Sequence, residues 1–288
     1  MEQIKKAIAR ARDIRETTGL RGSSDGAAPL PLAAARSARP ATARPPDVSG
    51  SQLDESRFQY FRLDEAYLES QRIIAYQGGN PMSVGFDMLR TKVQQDMRDN
   101  GMRTVLVTSP TAGCGKTVTS INLAMSMARQ QDNRSILVDF DFRRPQIATD
   151  LGIKPSVGVN DLIAGNVNIE EAMLTTDLAG PRMAILPCRA PISHPSEVLS
   201  SPVVQELVER LKSDSSNATV IFDMPPMMVA DDVLAFLPFV DAMIMIVAAG
   251  QTKAHEIESC QRNLPEDKFL GMVLTKSDEA GGDYYYYY

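Results

Sequence analysis

The hydrophobic positions of this chain fall into two alternating patterns. Short continuous apolar runs start at Arg103–Val107, at Ser135 and at Met183–Leu186, and again at Thr219–Phe222, 242–248 and 270–274. Between them lie stretches whose apolar residues recur at helical spacing. Ser83–Arg98 places Phe86, Leu89, Val93 and Met97 at i, i+3, i+7 and i+11, with Gly101 as its stop signal. Ser120–Ala128 and 252–263 read as helices, Pro202–Leu211 as a helix with proline near its first turn, and 159–164 and 169–175 as short helical pieces. Six apolar runs separated by helices predict an α/β fold, a doubly wound and mostly parallel sheet that holds its ligand at the carboxyl edge of the strands. The run Ala242–Ala249 suits a buried parallel strand and is too short to cross a bilayer.

The pattern fades at both ends. Residues 1–21 hold Met1, Ile4, Ile8 and Ala11 at helical spacing among Lys5, Lys6, Arg10 and Arg12. Two readings stay open there, a basic amphipathic helix that docks on a partner or anionic lipid, and a solvated N-terminal helix. Residues 22–50 contain eight alanines, five prolines and no aromatic residue, a composition that cannot offset the entropy of ordering and predicts a disordered linker. Residues 51–82 regain Phe58, Tyr60, Phe61, Tyr67 and Tyr76 and are expected to pack as a lead-in to a main domain at 83–280. After the last apolar run come Gly281-Gly282-Asp283 and five consecutive tyrosines, Tyr284, Tyr285, Tyr286, Tyr287 and Tyr288, where only three other tyrosines occur in the chain. Folding asks for no such run, so 281–288 reads either as phosphoacceptors on a flexible tether or as an interaction tail.

Charge and cysteine usage narrow the function classes. The first fifty residues carry nine Lys/Arg against five Asp/Glu, and the remainder 21 against 31, within a net charge of −6. An acidic body argues against nucleic acid as a partner. Cys114, Cys188 and Cys260 are too widely spaced for a disulfide framework or a metal motif, which fits a reducing compartment. The charged N-terminus lacks the apolar region of a signal peptide, so a cytoplasmic location is expected.

The chemistry centres on Thr108-Ser109-Pro110-Thr111-Ala112-Gly113-Cys114-Gly115-Lys116-Thr117, which lies between an apolar run and a helix. That context makes it a P-loop, with Pro110 where the strict motif has its first glycine. Backbone N–H groups over Thr111–Val118 would wrap the phosphates of a nucleotide at the positive end of the following helix. Lys116 would reach the β- and γ-phosphates and the Thr117 hydroxyl would bind Mg²⁺. Three carboxylates follow apolar runs and converge on the same sheet edge: Asp139, Asp141 and Asp223. Asp223 reads as the Walker-B type residue on the metal side. Asp139 and Asp141 could divide the work, one toward Mg²⁺ and one toward the proton of an incoming hydroxyl. Arg143 and Arg144 are candidates for phosphate binding, with a solvated surface pair as the alternative.

These residues carry a resemblance. The deviant P-loop, the run Leu-Val-Asp-Phe-Asp-Phe-Arg-Arg-Pro, the Ile-Phe-Asp-Met-Pro-Pro segment and the tyrosine cluster resemble the bacterial tyrosine kinases (BY-kinases) of exopolysaccharide and capsule export, across about residues 83–288. Their relatives are the Mrp/MinD/ParA-type ATPases. The resemblance implies a deviant-Walker P-loop NTPase fold that uses ATP and Mg²⁺ to phosphorylate its own tail at Tyr284, Tyr285, Tyr286, Tyr287 and Tyr288. By it Lys116 and Thr117 match the P-loop pair, Asp139 and Asp141 the second-motif aspartates, and Asp223 the Walker-B aspartate. It further implies a membrane co-polymerase as activator, peripheral placement at the membrane through that partner, a tyrosine phosphatase, and cycling between a phosphorylated monomer and an unphosphorylated homo-oligomeric ring. Two positions depart from the family. Cys114 stands where glutamate is usual, and the Glu-x-x-Arg-x-x-Arg ring motif lines up with Val84, Asp87 and Arg90, so only Arg90 matches. Ring assembly through that motif is therefore in doubt. The competing class is a MinD/ParA-like ATPase switch in which nucleotide state gates a partner and the tyrosines serve only as a tag.

Overall fold

The computed structural model describes residues 53–131, 133–178, 182–214 and 218–277. Residues 1–52 and 278–288 lie outside the described residues, and so do the expectations of an N-terminal helix and a linker placed on 1–50. The same holds for the tethered phosphoacceptors expected at Tyr284, Tyr285, Tyr286, Tyr287 and Tyr288. Every described residue belongs to one compact unit.

Eight strands form one sheet: β1 (Gln59–Phe61), β2 (Thr104–Thr108), β3 (Arg134–Asp139), β4 (Leu174–Thr176), β5 (Met183–Leu186), β6 (Ala218–Asp223), β7 (Ala242–Ala248) and β8 (Phe269–Thr275). Their order across the sheet is β1-β4-β5-β3-β6-β2-β7-β8, with every pairing parallel except β4 with β5. The mostly parallel sheet expected from the sequence is present, with two more strands than the six apolar runs predicted. Both extra strands are three-residue pieces at one edge, too short to show a period. One of them corrects the helical reading of 169–175, where a single helical turn at Ile169–Ala172 gives way to β4.

Ten helices cover the two faces among the described residues: α1 (Glu65–Ser70), α2 (Val84–Asp99), α3 (Lys116–Ala128), α4 (Ile147–Asp150), α5 (Val159–Ile163), α6 (Ile169–Ala172), α7 (Pro195–Leu199), α8 (Pro202–Asp214), α9 (Asp232–Phe236) and α10 (Ala254–Gln261). Strand residues alternate between two cores. Val105, Val107, Leu137, Ile221 and Ile244 pack with α3, whereas Leu106, Val138, Val220 and Phe222 pack beneath α8 and α9. Burial on both faces is why these strands read as continuous apolar runs.

Helix α3, which carries the end of the P-loop, is buried almost all round. Its Asn122 clamps the lead-in segment onto the domain: Oδ1 accepts from the Ile74 and Ala75 N–H groups at 2.8 and 2.9 Å, and Nδ2 donates to the Arg72 and Val118 carbonyls. Leu63, Leu68, Ile73 and Ala75 join the same core, so the lead-in contributes a strand, a helix and core residues. Four phenylalanines lock the strand ends on the opposite face. Phe140 lies 5.0 Å from Phe142, 5.2 Å from Phe222 and 5.0 Å from Phe236, at tilted and edge-on angles that aromatic rings favour. The Phe140 N–H also donates to the Asp223 carbonyl at 2.9 Å, which ties the chain after β3 to the end of β6.

Candidate functional site

The P-loop runs from the end of β2 to the start of α3. Gly113 and Gly115 hold φ of +80° and +87°, a left-handed backbone that strains any L side chain, and these are the two glycines of the motif. Pro110, in place of the strict motif's first glycine, is held from outside. The N–H groups of Met227 and Met228 donate to the carbonyls of Ser109 and Pro110, so the segment after Asp223 braces the loop's entry. The far side is braced as well: Thr275 Oγ1 donates to the Cys114 carbonyl at 2.6 Å, and Gln251 Nε2 to the Ala112 carbonyl at 3.1 Å. Cys114 is fully buried and its thiol donates to the Thr111 carbonyl at 3.2 Å, so this side chain serves the core of the loop.

Lys116 points into the three carboxylates. Its Nζ donates to Asp141 Oδ2 at 2.8 Å and to Thr117 Oγ1 at 3.3 Å, and lies 3.6 Å from Asp223 Oδ2. Burial works to lower the Lys116 pKa, but the charges of Asp223 and Asp141 outweigh it and hold it above its ordinary value. Asp223 ends β6 and accepts from Thr117 Oγ1 at 2.7 Å and Ser120 Oγ at 3.1 Å. Burial raises its pKa against the opposing pull of Lys116 and Thr117. Thr117 and Ser120 are one turn apart on α3 and share a face, the signal that marks Ser120 as a site residue.

The two aspartates after the second run occupy different positions. Asp139 is the last residue of β3, whereas Asp141 sits beyond the strand in the turn, a difference from the strand-end placement read from the sequence. Asp139 is fully buried; Oδ2 accepts from the Gln146 and Ile147 N–H groups, both at 3.1 Å, and Oδ1 from the Asp141 N–H at 3.3 Å. Burial, and then the Asp223 charge, push its pKa well above the usual carboxylate range. Asp141 takes Lys116 on one oxygen and the Arg144 N–H on the other. No group of three His, Cys, Asp or Glu among the described residues could hold a metal unaided. Mg²⁺ in nucleotide sites usually takes one or two carboxylates together with phosphate oxygens, so it needs no such group. Thr117 and Asp223, 2.7 Å apart, are placed for that.

The arginines separate. Arg143 is committed to the buried Asp232 of α9 through two bonds of 2.7 and 3.0 Å, while Arg144 stays exposed. Sequence reasoning missed Asp232, 89 residues away in the chain. It also missed Asp150 at the end of α4, whose pKa rises to about 6, first through burial and then through the charge of Asp223. A folded-state pKa above the unfolded value means that stability is lost as pH climbs from about 4 to 6. Asp150→Asn should therefore raise the melting temperature at pH 7 and leave it unchanged near pH 4. An equal gain at both pH values would assign the effect to shape instead of charge.

Two of the three ring-motif positions face inward. Asp87 Oδ1 accepts from Arg90 at 2.9 Å, Arg129 at 3.1 Å and Ser126 Oγ at 2.5 Å, and Arg90 also reaches Ser126. These side chains stitch α2 to α3 within one chain, while Val84 is exposed.

A P-loop opening a buried helix, with acids at two neighbouring strand ends, defines a P-loop ATPase. The family described as an AAA domain matches residues 102–258, more than half of the chain, and the chain belongs to it. Within that class its relatives are bacterial tyrosine kinases. Tyrosine-protein kinase YwqD of Bacillus subtilis (strain 168) is 26% identical over 202 residues, which cover 69% of this chain and 83% of the relative. Tyrosine-protein kinase CpsD of Streptococcus agalactiae is 25% identical over 202 residues, covering 69% and 85%. Among solved structures, the chimerical protein CapA2B2 shares the fold with a TM-score of 0.66 at 22% identity, over 76% of this chain and 92% of that one. No helix among the described residues is long and apolar enough to cross a membrane.

Proposed function

We propose that the chain is an ATP- and Mg²⁺-dependent protein-tyrosine kinase that phosphorylates Tyr284, Tyr285, Tyr286, Tyr287 and Tyr288, and that it regulates exopolysaccharide or capsule synthesis and export together with a membrane co-polymerase. The observation that carries this reading is the Lys116 ammonium held between Asp141 and Asp223 at the mouth of a P-loop, in a chain that ends in five tyrosines. The backbone of Thr111–Val118 would cradle the phosphates, and Lys116 would neutralise charge on the transferring group. Thr117 and Asp223 would hold Mg²⁺, which supplies electrostatic stabilisation of the phosphate oxygens. Asp139 would shape the metal side by fixing the loop that follows β3.

Phosphate arriving in the loop competes for Lys116 and so frees Asp141. A free Asp141 carboxylate is then placed to accept the proton of an incoming tyrosine hydroxyl, whose ordinary pKa is about 10. Arg144 remains a candidate for contact with phosphate on the substrate; Arg143, held by Asp232, does not serve that role in this reading. The partners are the co-polymerase, a tyrosine phosphatase that resets the tail, and further copies of the chain. The inward engagement of Asp87 and Arg90 argues against a ring built on that motif.

The test is incubation with γ-labelled ATP and Mg²⁺, with and without membrane extract, followed by phosphotyrosine mapping. Label should appear on Tyr284–Tyr288, rise with the extract, and vanish in a chain whose five tail tyrosines are phenylalanine. Release of labelled phosphate with none on protein, under every condition, would sink the kinase reading and leave the ATPase switch.

A further inference from the structure

Strand β8 is the last strand of the sheet, paired with β7 on one side and with no described residue on the other. It runs Phe-Leu-Gly-Met-Val-Leu-Thr, with no charge and no proline. Natural sheets usually blunt such an edge with lysine, proline or a covering segment, because its unpaired N–H and C=O groups accept another strand. Met272 and Leu274 pair with Met245 and Val247 of β7, on the face that packs against Cys260 of α10. Met245 and Val247 are buried, whereas Met272 is 48% and Leu274 62% exposed. An apolar strip and an open backbone edge therefore coincide on one strand.

The chain itself supplies a segment that fits. It leaves β8 at Lys276 with φ +56°, a left-handed residue of the kind that turns a chain back on itself. Counting along the sequence, a loop through Gly281-Gly282 allows Asp283 to return opposite Thr275. Continued antiparallel, that register would set Tyr284 opposite Leu274 and Tyr286 opposite Met272, before the irregularity at Gly271 interrupts the strand. The alternation of a strand would then set Tyr284 and Tyr286 on the two exposed residues, and Tyr285 on the opposite face. Tyrosine suits this place, since it favours strands and covers apolar surface while its hydroxyl stays in water.

We propose that the unphosphorylated segment Asp283–Tyr288 adds to the free edge of β8 as an antiparallel strand that covers Met272 and Leu274, and that its phosphorylation releases it. The release step rests on the reading of these tyrosines as phosphoacceptors; the docking does not. Each phosphate adds about −1.5 to −2 charge, which desolvates poorly against Leu274 and repels its neighbours along the strand. The geometry also assigns a direction. The Thr275 end of β8 touches the P-loop through Cys114, so a returning strand carries its tyrosines away from the Lys116 of its own chain and leaves them to another molecule.

Hydrogen exchange on the full chain tests the docking without any kinase step. Those amides within residues 270–275 that point to the free edge, away from β7, should exchange roughly tenfold or more slowly in the full chain than in one ending at Gly282. Leu274→Asp in the full chain should reproduce the fast exchange. Equal exchange with and without the tail overturns the proposal. A Met272→Cys, Tyr286→Cys double variant gives a second measurement, since cysteines directly opposite in adjacent strands can reach disulfide geometry. Cys114, Cys188 and Cys260 are buried, and the double variant is made in a Cys260→Ala background because Cys260 lies on the same face as Met272. Oxidation should yield a cross-link within one chain at every dilution. Cross-links that appear only between chains, and grow with concentration, would make a second copy the occupant and overturn the intrachain strand. If the tail docks but exchange stays slow after treatment with ATP, Mg²⁺ and membrane extract, phosphopeptide mapping separates the two failures. Phosphotyrosine present refutes release, and phosphotyrosine absent refutes the kinase reading instead.

Discussion

Lys116→Met should lower phosphate transfer to protein by about 10²–10³-fold or more while the domain stays folded. Lys116 is the one side-chain cation placed between Asp141 and Asp223 among the described residues of the site, and phosphoryl transfer depends mainly on charge stabilisation and positioning. Its removal leaves Asp141 and Asp223 without their counter-charge. Breaking a buried pair usually costs about 3–5 kcal/mol when the remaining charge is forced to stay. Asp223 escapes part of that cost, because burial already pushes it toward its protonated form. Methionine in the lysine's place keeps this buried position of α3 filled. The measurement is initial-rate phosphotyrosine formation beside a thermal melt. A folded variant with undiminished rate would remove Lys116 from the site, and with it the P-loop reading.

The sheet was legible because its central strands are buried on both faces and so leave continuous apolar runs; Ala242–Ala248 is read to its very ends. The P-loop was legible because everything it needs is local: a strand, two glycines and a helix start within about fourteen residues of one another. What stayed hidden depends on residues distant in the chain. Nothing near Arg143 reveals that Asp232 will hold it, and Phe140 does not announce that it will pack on Phe222 and Phe236. The three-residue strands β1 and β4 have no period to detect, and they exist because a neighbouring edge accepts them. The roles of Asp139 and Asp141 belong between these cases. Their spacing singled them out, but only the fold separates a carboxylate fixed by backbone N–H groups from one held by a lysine.

That separation gives the second large effect. Asp141→Asn should slow phosphate transfer by about 10²–10⁴-fold, the usual range for loss of a positioned base, with nucleotide affinity little changed. Asp141 is bound to Lys116 at 2.8 Å, and in the proposed reaction the incoming phosphates draw that lysine away. Asparagine preserves shape and an acceptor for the Arg144 N–H, but it cannot take a proton from tyrosine. Asp139→Asn should behave differently. Its Oδ2 position accepts from the Gln146 and Ile147 N–H groups, and an asparagine oxygen placed there keeps both bonds, losing only the longer contact at Oδ1. Asp139 is also biased toward its neutral form, which asparagine resembles in charge. The expected result is a modest fall in rate and a shift in the Mg²⁺ concentration required, because the loop and the field beside Asp223 are altered. Titration of rate against Mg²⁺, together with nucleotide binding followed by calorimetry, distinguishes the two variants. If both lose nucleotide binding equally, the two acids share one task on the metal side and Asp141 is not the base.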